Sequence, residues 1–181
     1  IDENFQYGGQ SEKYATSPKN RWQKEFRKFQ EKDGSFLKDL TEQQYSKHSD
    51  HVVKRFSYMI KNRGEIPDTL KTKKFAQRLL PKVWGNKGPT ITACSLPDDF
   101  VHYEQARSLT VREMARLQTF PDWYAFAGKR TTGGLRRAGN PRESIYDREV
   151  PKYTQIANAV PPKLAFEIGK HFKYLLEKNP L

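Results

Sequence analysis

Tyr153-Thr154-Gln155-Ile156-Ala157-Asn158-Ala159-Val160-Pro161-Pro162 is the stretch on which the reading of this chain turns. It reads as an extended apolar/polar piece closing in a tight turn of small residues. The double proline then opens a helix, because a first helical turn needs no backbone N–H. After it Leu164, Ile168, Phe172 and Leu175 recur at helical spacing, with Lys163, Glu167, Lys170 and Lys173 between them. A turn without bulky side chains at the mouth of a helix admits a ligand closely; it equally lets two structural elements pack closely. Both readings stay open on this stretch alone.

Upstream, the sharpest local signal is Thr110-Val111-Arg112-Glu113, a capping box in which the Thr and the Glu each satisfy a free backbone N–H of a new helix. Met114 and Leu117 give that helix an apolar face, and Phe120-Pro121-Asp122-Trp123 stops it. Thr90-Ile91-Thr92 and Phe100-Val101-His102-Tyr103, either side of a turn at Pro97-Asp98-Asp99, form the one β region. Basic residues with aromatics among them (Lys71, Lys73, Lys74, Arg78, Lys82, Trp84, Lys87) suit a nucleic-acid surface or a solvated loop.

Towards the N-terminus, Ser17-Pro18 reads as a cap and first helical position, followed by Trp22, Phe26 and Phe29 on one helical face. A weaker helical pattern holds Phe36, Leu37, Leu40 and Tyr45. His48-Ser49-Asp50-His51 is read as a helix cap rather than a metal pair, since neither a cysteine nor a third ligand lies near. Val52, Val53, Phe56 and Ile60 are the expected buried face, and Asn62-Arg63-Gly64 the stop. Residues 129–152 are a glycine-punctuated stretch with seven Lys/Arg against three acids, read as a loop that orders on phosphates or as a solvated insertion.

The 181 residues fit one ordinary domain or a small domain with a docking appendage. Only 35% is hydrophobic, while 13% is aromatic, so a modest core with long polar excursions is expected. Thirty-three Lys+Arg against 21 Asp+Glu give a net charge of +12, which points to a polyanion, nucleic acid first and an anionic membrane second. A single cysteine, Cys94, excludes an internal disulfide and fits a cytoplasmic location. No apolar run approaches the 18 or so residues needed to span a membrane.

Two of these segments carry a resemblance. Residues 107–122, Arg-Ser-Leu-Thr-Val-Arg-Glu-Met-Ala-Arg-Leu-Gln-Thr-Phe-Pro-Asp, resemble the ninth motif of the DNA cytosine-5 methyltransferases, and residues 155–162 resemble their tenth. Gly88-Pro89-Thr90-Ile91-Thr92 and His102 resemble the end of the target recognition domain that lies between the eighth and ninth motifs. The match is specific from about Gly88 to Phe172, weakens to an overall spacing over residues 51–87 and is faint before that. Two departures stand out: Ala157 replaces the usual glycine before the asparagine, and residues 129–152 exceed the short link expected between the motifs.

The resemblance implies an α+β chain, mostly helical, with a small β element in the recognition region and a C-terminal helix that docks on an α/β catalytic domain. It implies three parts: a helical extension at 1–48, a target recognition domain at 49–106, and the ninth and tenth motif region with the last helix at 107–181. The reaction implied is methyl transfer from S-adenosylmethionine to carbon 5 of cytosine in double-stranded DNA. Asn158, Ala159 and Val160 would border the methyl donor. Lys82, Trp84, Asn86, Lys87, Ser95 and His102 would belong to two loops reaching base edges, with Asn86 and Gln105 suited to adenine and Lys87 to guanine. Arg107, Arg112 and Arg116 would hold phosphates or pair with carboxylates of the catalytic domain. The family's Pro-Cys nucleophile, its Glu-Asn-Val glutamate and its Gly-rich donor loop have no counterpart here, and Cys94 follows Ala93. No catalytic residue and no metal are therefore expected in this chain. The expectation is the C-terminal part of such an enzyme, whether a piece of a longer chain or the second polypeptide of a split one, joined to an N-terminal catalytic part in cis or as a subunit. A non-catalytic DNA-binding module derived from such an enzyme is the competing expectation.

Overall fold

The computed structural model describes residues 5–28, 35–71, 77–84, 88–91, 100–131, 142, 144 and 149–179. Five α-helices and one small sheet are seen among them, a mixed α+β arrangement: α1 (Arg21–Arg27), α2 (Asp50–Lys61), β1 (Arg78–Leu79), β2 (Phe100–Val101), α3 (Val111–Leu117), α4 (Lys152–Asn158) and α5 (Pro162–Lys178).

The centre is α3. Thr110 and Glu113 close the expected capping box: the Thr110 hydroxyl accepts from the Glu113 amide at 3.1 Å, and the Glu113 carboxylate accepts from the Thr110 amide at 2.9 Å. Val111, Met114 and Ala115 then face a core completed by Leu80, Phe100, Leu109, Phe120, Phe126, Tyr153 and Ile156. Tyr153 is fully buried, and its hydroxyl donates to the Leu109 carbonyl at 2.8 Å, which meets the need of a buried phenol for a partner. The expected helix stop is present, with Thr119 in the left-handed region at φ 65°. That φ is strained for a β-branched residue.

A second, smaller core forms where Phe56 and Met59 of α2 meet Val101. This replaces the expected face of Val52, Val53, Phe56 and Ile60: Phe56 and Met59 lie three apart and are the fully buried pair, with Val52 packed at the margin. The stop at Asn62-Arg63-Gly64 holds. Gly64 sits at φ 95° and donates to the Met59 carbonyl at 2.7 Å, a close made by the one residue type without a side-chain penalty there.

Several local expectations are corrected. The partner of Phe100-Val101 is Arg78-Leu79, in parallel register, while Thr90 and Ile91 are outside any strand and Thr92 lies outside the described residues. The run from Phe36 to Tyr45 is not helical. It lays antiparallel bridges against the N-terminal segment at Lys28↔Phe36, Lys13↔Asp39 and Gln10↔Gln44. α1 is capped by Asn20, whose side chain accepts from the Gln23 amide at 2.9 Å, three residues later than Ser17. Residues 153–158, expected to be extended, are helical, and Ala157 lies inside α4 without a positive φ. An alanine in place of the glycine is therefore unstrained in this backbone. The double proline starts α5 as expected.

Candidate functional site: the clamped turn and the recognition surface

The turn between α4 and α5 is held by the end of α3. The Gln118 carboxamide donates to the Ala159 carbonyl at 2.8 Å, and the Thr119 hydroxyl accepts from the Lys163 amide at 3.1 Å. Thr119 thus supplies the side-chain cap that Pro161 cannot give to α5, and its strained φ places the hydroxyl there. Two residues directly after one helix fix the entry to the next. Asn158 and Val160 remain on the surface of this clamped turn, Val160 at 64% exposure, while Ala159 is half-buried against the core. Of the three residues expected at a donor site, two are therefore open to an occupant and one has its carbonyl committed.

The arginines expected at phosphates turn inwards. Arg107 is 1% exposed, and its guanidinium forks onto Glu113 at 2.7 and 2.7 Å while its Nε donates to Gln105 at 2.8 Å. The faces of Tyr45 and Phe5 lie 4.9 and 5.3 Å from its central carbon. Arg112 is completely buried and binds oxygen atoms only: the Thr41 carbonyl and hydroxyl, the Pro121 carbonyl and the Tyr124 carbonyl. Arg116 forks onto Asp122 at 2.9 and 2.6 Å. The carboxylates these side chains meet are the chain's own. Arg107 and Arg112 are internal struts that tie α3 to the N-terminal segment, and phosphate contact is not assigned to them.

His102 is corrected in the same sense. It is buried, stacked on Tyr103, and its Nδ1 accepts from the amides of Glu104 and Gln105 at 3.2 and 3.1 Å. The His102 amide in turn donates to the Arg107 carbonyl at 2.8 Å, so the imidazole fastens the tight turn that follows β2. Burial, aided by the Arg107 charge, pushes the His102 imidazole down to about 4. Glu113 goes the same way for a different reason: burial would raise its carboxyl, but the hydrogen bonds and charge of Arg107 and the Thr110 amide outweigh it and hold it at about 2.

Both shifts give stability that rises with pH. The unfolded chain binds protons on His102 below about 6.5 and on Glu113 below about 4.5, whereas the folded chain resists until about 4 and about 2. The stability of the folded chain is expected to fall by about 2–3 kcal/mol between pH 6.5 and 4 from His102, with Glu113 adding to the loss below 4.5. Thermal melting across that range checks this. In His102→Asn, which keeps an acceptor for the two amides without titrating, the loss above pH 4.5 should shrink; an unchanged loss would remove His102 from the account.

Lys82 and Trp84 are the expected recognition residues on the surface. Lys82 pairs with Glu104, and the Trp84 ring, 41% exposed, donates its Nε1 to the Pro81 carbonyl at 2.7 Å. They sit directly after β1, whose pairing with β2 fixes their base. Asn86, Lys87 and Ser95, together with Cys94, lie outside the described residues, as does most of the 129–152 stretch. Within that stretch, Lys129 pairs with Glu149 at 2.8 Å and Arg130 donates to the Ser46 hydroxyl at 3.1 Å. His48 and His51 have separate partners: His48 Nε2 faces the Ser108 amide and hydroxyl at 3.2 Å each, and His51 bonds Ser49 at 3.1 Å.

Sequence reasoning missed Asp122 and the Gln43–Ser46 segment. Asp122, read only as part of a helix stop, accepts from Arg116 and from the Tyr14 hydroxyl at 2.6 Å. Gln43 accepts from the Thr110 hydroxyl at 2.9 Å and donates to Glu113 at 3.2 Å. A six-residue separation in both Arg107–Glu113 and Arg116–Asp122 was the available signal.

Residues 4–174 match the family described as C-5 cytosine-specific DNA methylase. The chain is 29% identical over 184 residues to the Type II methyltransferase M.DdeI of Desulfomicrobium norvegicum, covering 94% of this chain and 40% of that protein. It is 32% identical over 126 residues to the Type II methyltransferase M1.HphI of Haemophilus parahaemolyticus, covering 68% of this chain and 28% of the relative. With the Escherichia coli Type II methyltransferase M.Eco47II it shares 42% identity over 77 residues, 42% of this chain and 14% of that protein. The chain thus spans two-fifths or less of the length of these relatives.

Proposed function

The chain belongs to the C-5 cytosine-specific DNA methylase family, and from that premise we propose that it is the DNA-recognising, C-terminal part of such a methyltransferase. The observation that carries this is the clamp of Gln118 and Thr119 on the turn at 158–160, because it joins the two motif segments into one surface with an open side. The surface after β1, with Lys82 and Trp84, reads base edges in the major groove. The reaction is methyl transfer to carbon 5 of a cytosine turned out of the duplex. The nucleophilic cysteine comes from a segment outside these 181 residues, in the same polypeptide or in a subunit, since Cys94 lacks the preceding proline. The names of the relatives support a role in a restriction-modification pair.

S-adenosylmethionine, the donor of this family, supplies the methyl group when bound. The residues present fit one wall of its site: Asn158 offers an exposed carboxamide that both donates and accepts, and Val160 an exposed isopropyl group. The last helix supports the division of labour. Leu164, Ile168, Phe172 and Leu175 on one face are 40–60% exposed, a stripe that packs on the catalytic α/β domain.

The test is binding of this chain to duplex DNA across a salt series. A steep fall of log affinity with log salt is expected, with a slope of about −0.9 per phosphate neutralised. A flat response, or no binding at low salt, overturns the reading. The chain alone should transfer no methyl group and should do so when joined to the catalytic part. The competing reading, a non-catalytic DNA-binding module, would show binding but no transfer in that mixture.

A further inference from the structure

Resting on the DNA-binding reading above, we infer that the N-terminal arm of residues 13–28 is a second phosphate-binding surface, one that grips the backbone of duplex DNA. The arm carries Lys13, Lys19, Arg21, Lys24, Arg27 and Lys28 against a single acid, Glu25. Arg27 is used internally, over the Tyr14 ring at 3.9 Å and on the Thr16 carbonyl at 2.6 Å. Glu25 is taken by Lys163. The other five cations are exposed, and among the described residues none of them forms an ion pair. Elsewhere the chain neutralises many of its exposed lysines, as at Lys71–Asp68, Lys82–Glu104, Lys129–Glu149 and Lys170–Glu167. Five like charges left unanswered in one arm repel each other, and a polyanion relieves that cost.

Their placement fits a strand of phosphates. Arg21 and Lys24 lie one turn apart on α1, and Lys28 is its C-cap residue, where the backbone turns extended and bridges Phe36. At about 1.5 Å per residue the three cations span about 10 Å, a length that reaches neighbouring phosphates of one strand. The other side of the arm is fastened to the core at separate points. The Asp122 amide donates to the Phe26 carbonyl at 2.8 Å, the Tyr14 hydroxyl donates to Asp122 at 2.6 Å, and Lys163 at the start of α5 lies 4.8 Å over the Trp22 ring. The cations are therefore presented on a fixed frame, and contacts of this kind set register without reading sequence.

The experiment compares Arg21→Gln/Lys24→Gln/Lys28→Gln with the unaltered chain by fluorescence anisotropy on several duplex DNAs over a salt series. The expected result is a log–log slope shallower by about 2–3 and an affinity reduced to a similar degree for every sequence. A control, Lys54→Gln/Lys61→Gln, removes two exposed cations of a different helix, α2, and should leave the slope alone. An unchanged slope in the triple variant, or an equal fall per charge in the control, overturns the inference while the DNA-binding reading stands. Absence of salt-dependent binding by the unaltered chain removes the reading itself, and the inference with it.

Discussion

Replacing Glu113 with alanine should cost the folded chain about 3–5 kcal/mol, the range expected when one partner of a buried ion pair is removed. The Arg107 guanidinium is 1% exposed and would lose both forked bonds at once. The same change strips the Thr110 amide of its capping partner and Gln43 of its acceptor. The aromatic rings around Arg107 offer a quadrupole but no hydrogen-bond acceptor of comparable strength. For a chain of this length the loss corresponds to a melting midpoint lower by roughly 10 °C or more. Thermal unfolding followed by circular dichroism reads it directly. Glu113→Gln, which keeps the shape and an acceptor but not the charge, should fall between the two. A shift of only two or three degrees in Glu113→Ala would mean that Arg107 finds water, contrary to its burial.

The second large effect is expected at Asp122→Ala. Its carboxylate is 1% exposed and joins two elements: it accepts the fork from Arg116 of α3 and the hydroxyl of Tyr14 from the N-terminal arm. Arg116 is 29% exposed and can recover part of its solvation, so the expected loss is about 2–3 kcal/mol rather than the full cost of a stranded charge. The consequence is local as well as global. Tyr14 loses its acceptor, and one of the arm's fastenings to the core goes with it, so the arm should become the first site of limited proteolysis. Its grip on phosphates should weaken along with its anchoring, giving a shallower salt slope without the loss of a single cation. Proteolysis that leaves the arm as resistant as before would show that the Phe26 carbonyl and the Trp22–Lys163 contact suffice.

The capping box at Thr110 and Glu113 is a local device whose two bonds span three residues, and the sequence carries it completely. The double proline is local in the same way. The segment from Phe36 to Tyr45 misleads because its apolar spacing suits a helix, whereas its backbone is claimed by partners 8 to 34 residues away. Long-range pairing of that kind leaves no periodic trace. Residues 153–158 read as extended, yet Tyr153 and Ile156, three apart, are both fully buried on one helical face.

The arginines show a different limit. In a chain of net charge +12, an arginine beside a recognition region reads as a phosphate contact, and composition carries no sign of burial. Arg107 and Arg112 instead belong to the frame, and five of the exposed cations that remain for a polyanion lie together in the arm that the motifs do not reach. The turn at 158–160 was legible as a place of close approach; that Gln118 and Thr119 hold it was not, because a clamp 41 to 44 residues away has no local signature.

The central claim, that this chain recognises a particular duplex sequence containing the target cytosine, is tested most directly by selection from a pool of randomised duplex DNA. Binding by the chain should enrich one short motif that contains a cytosine. Trp84→Ala, together with Lys82→Ala, should blur that motif, while the arm variant should leave it intact and lower only the yield. A pool that stays random while binding persists, or a motif without cytosine, would contradict the account.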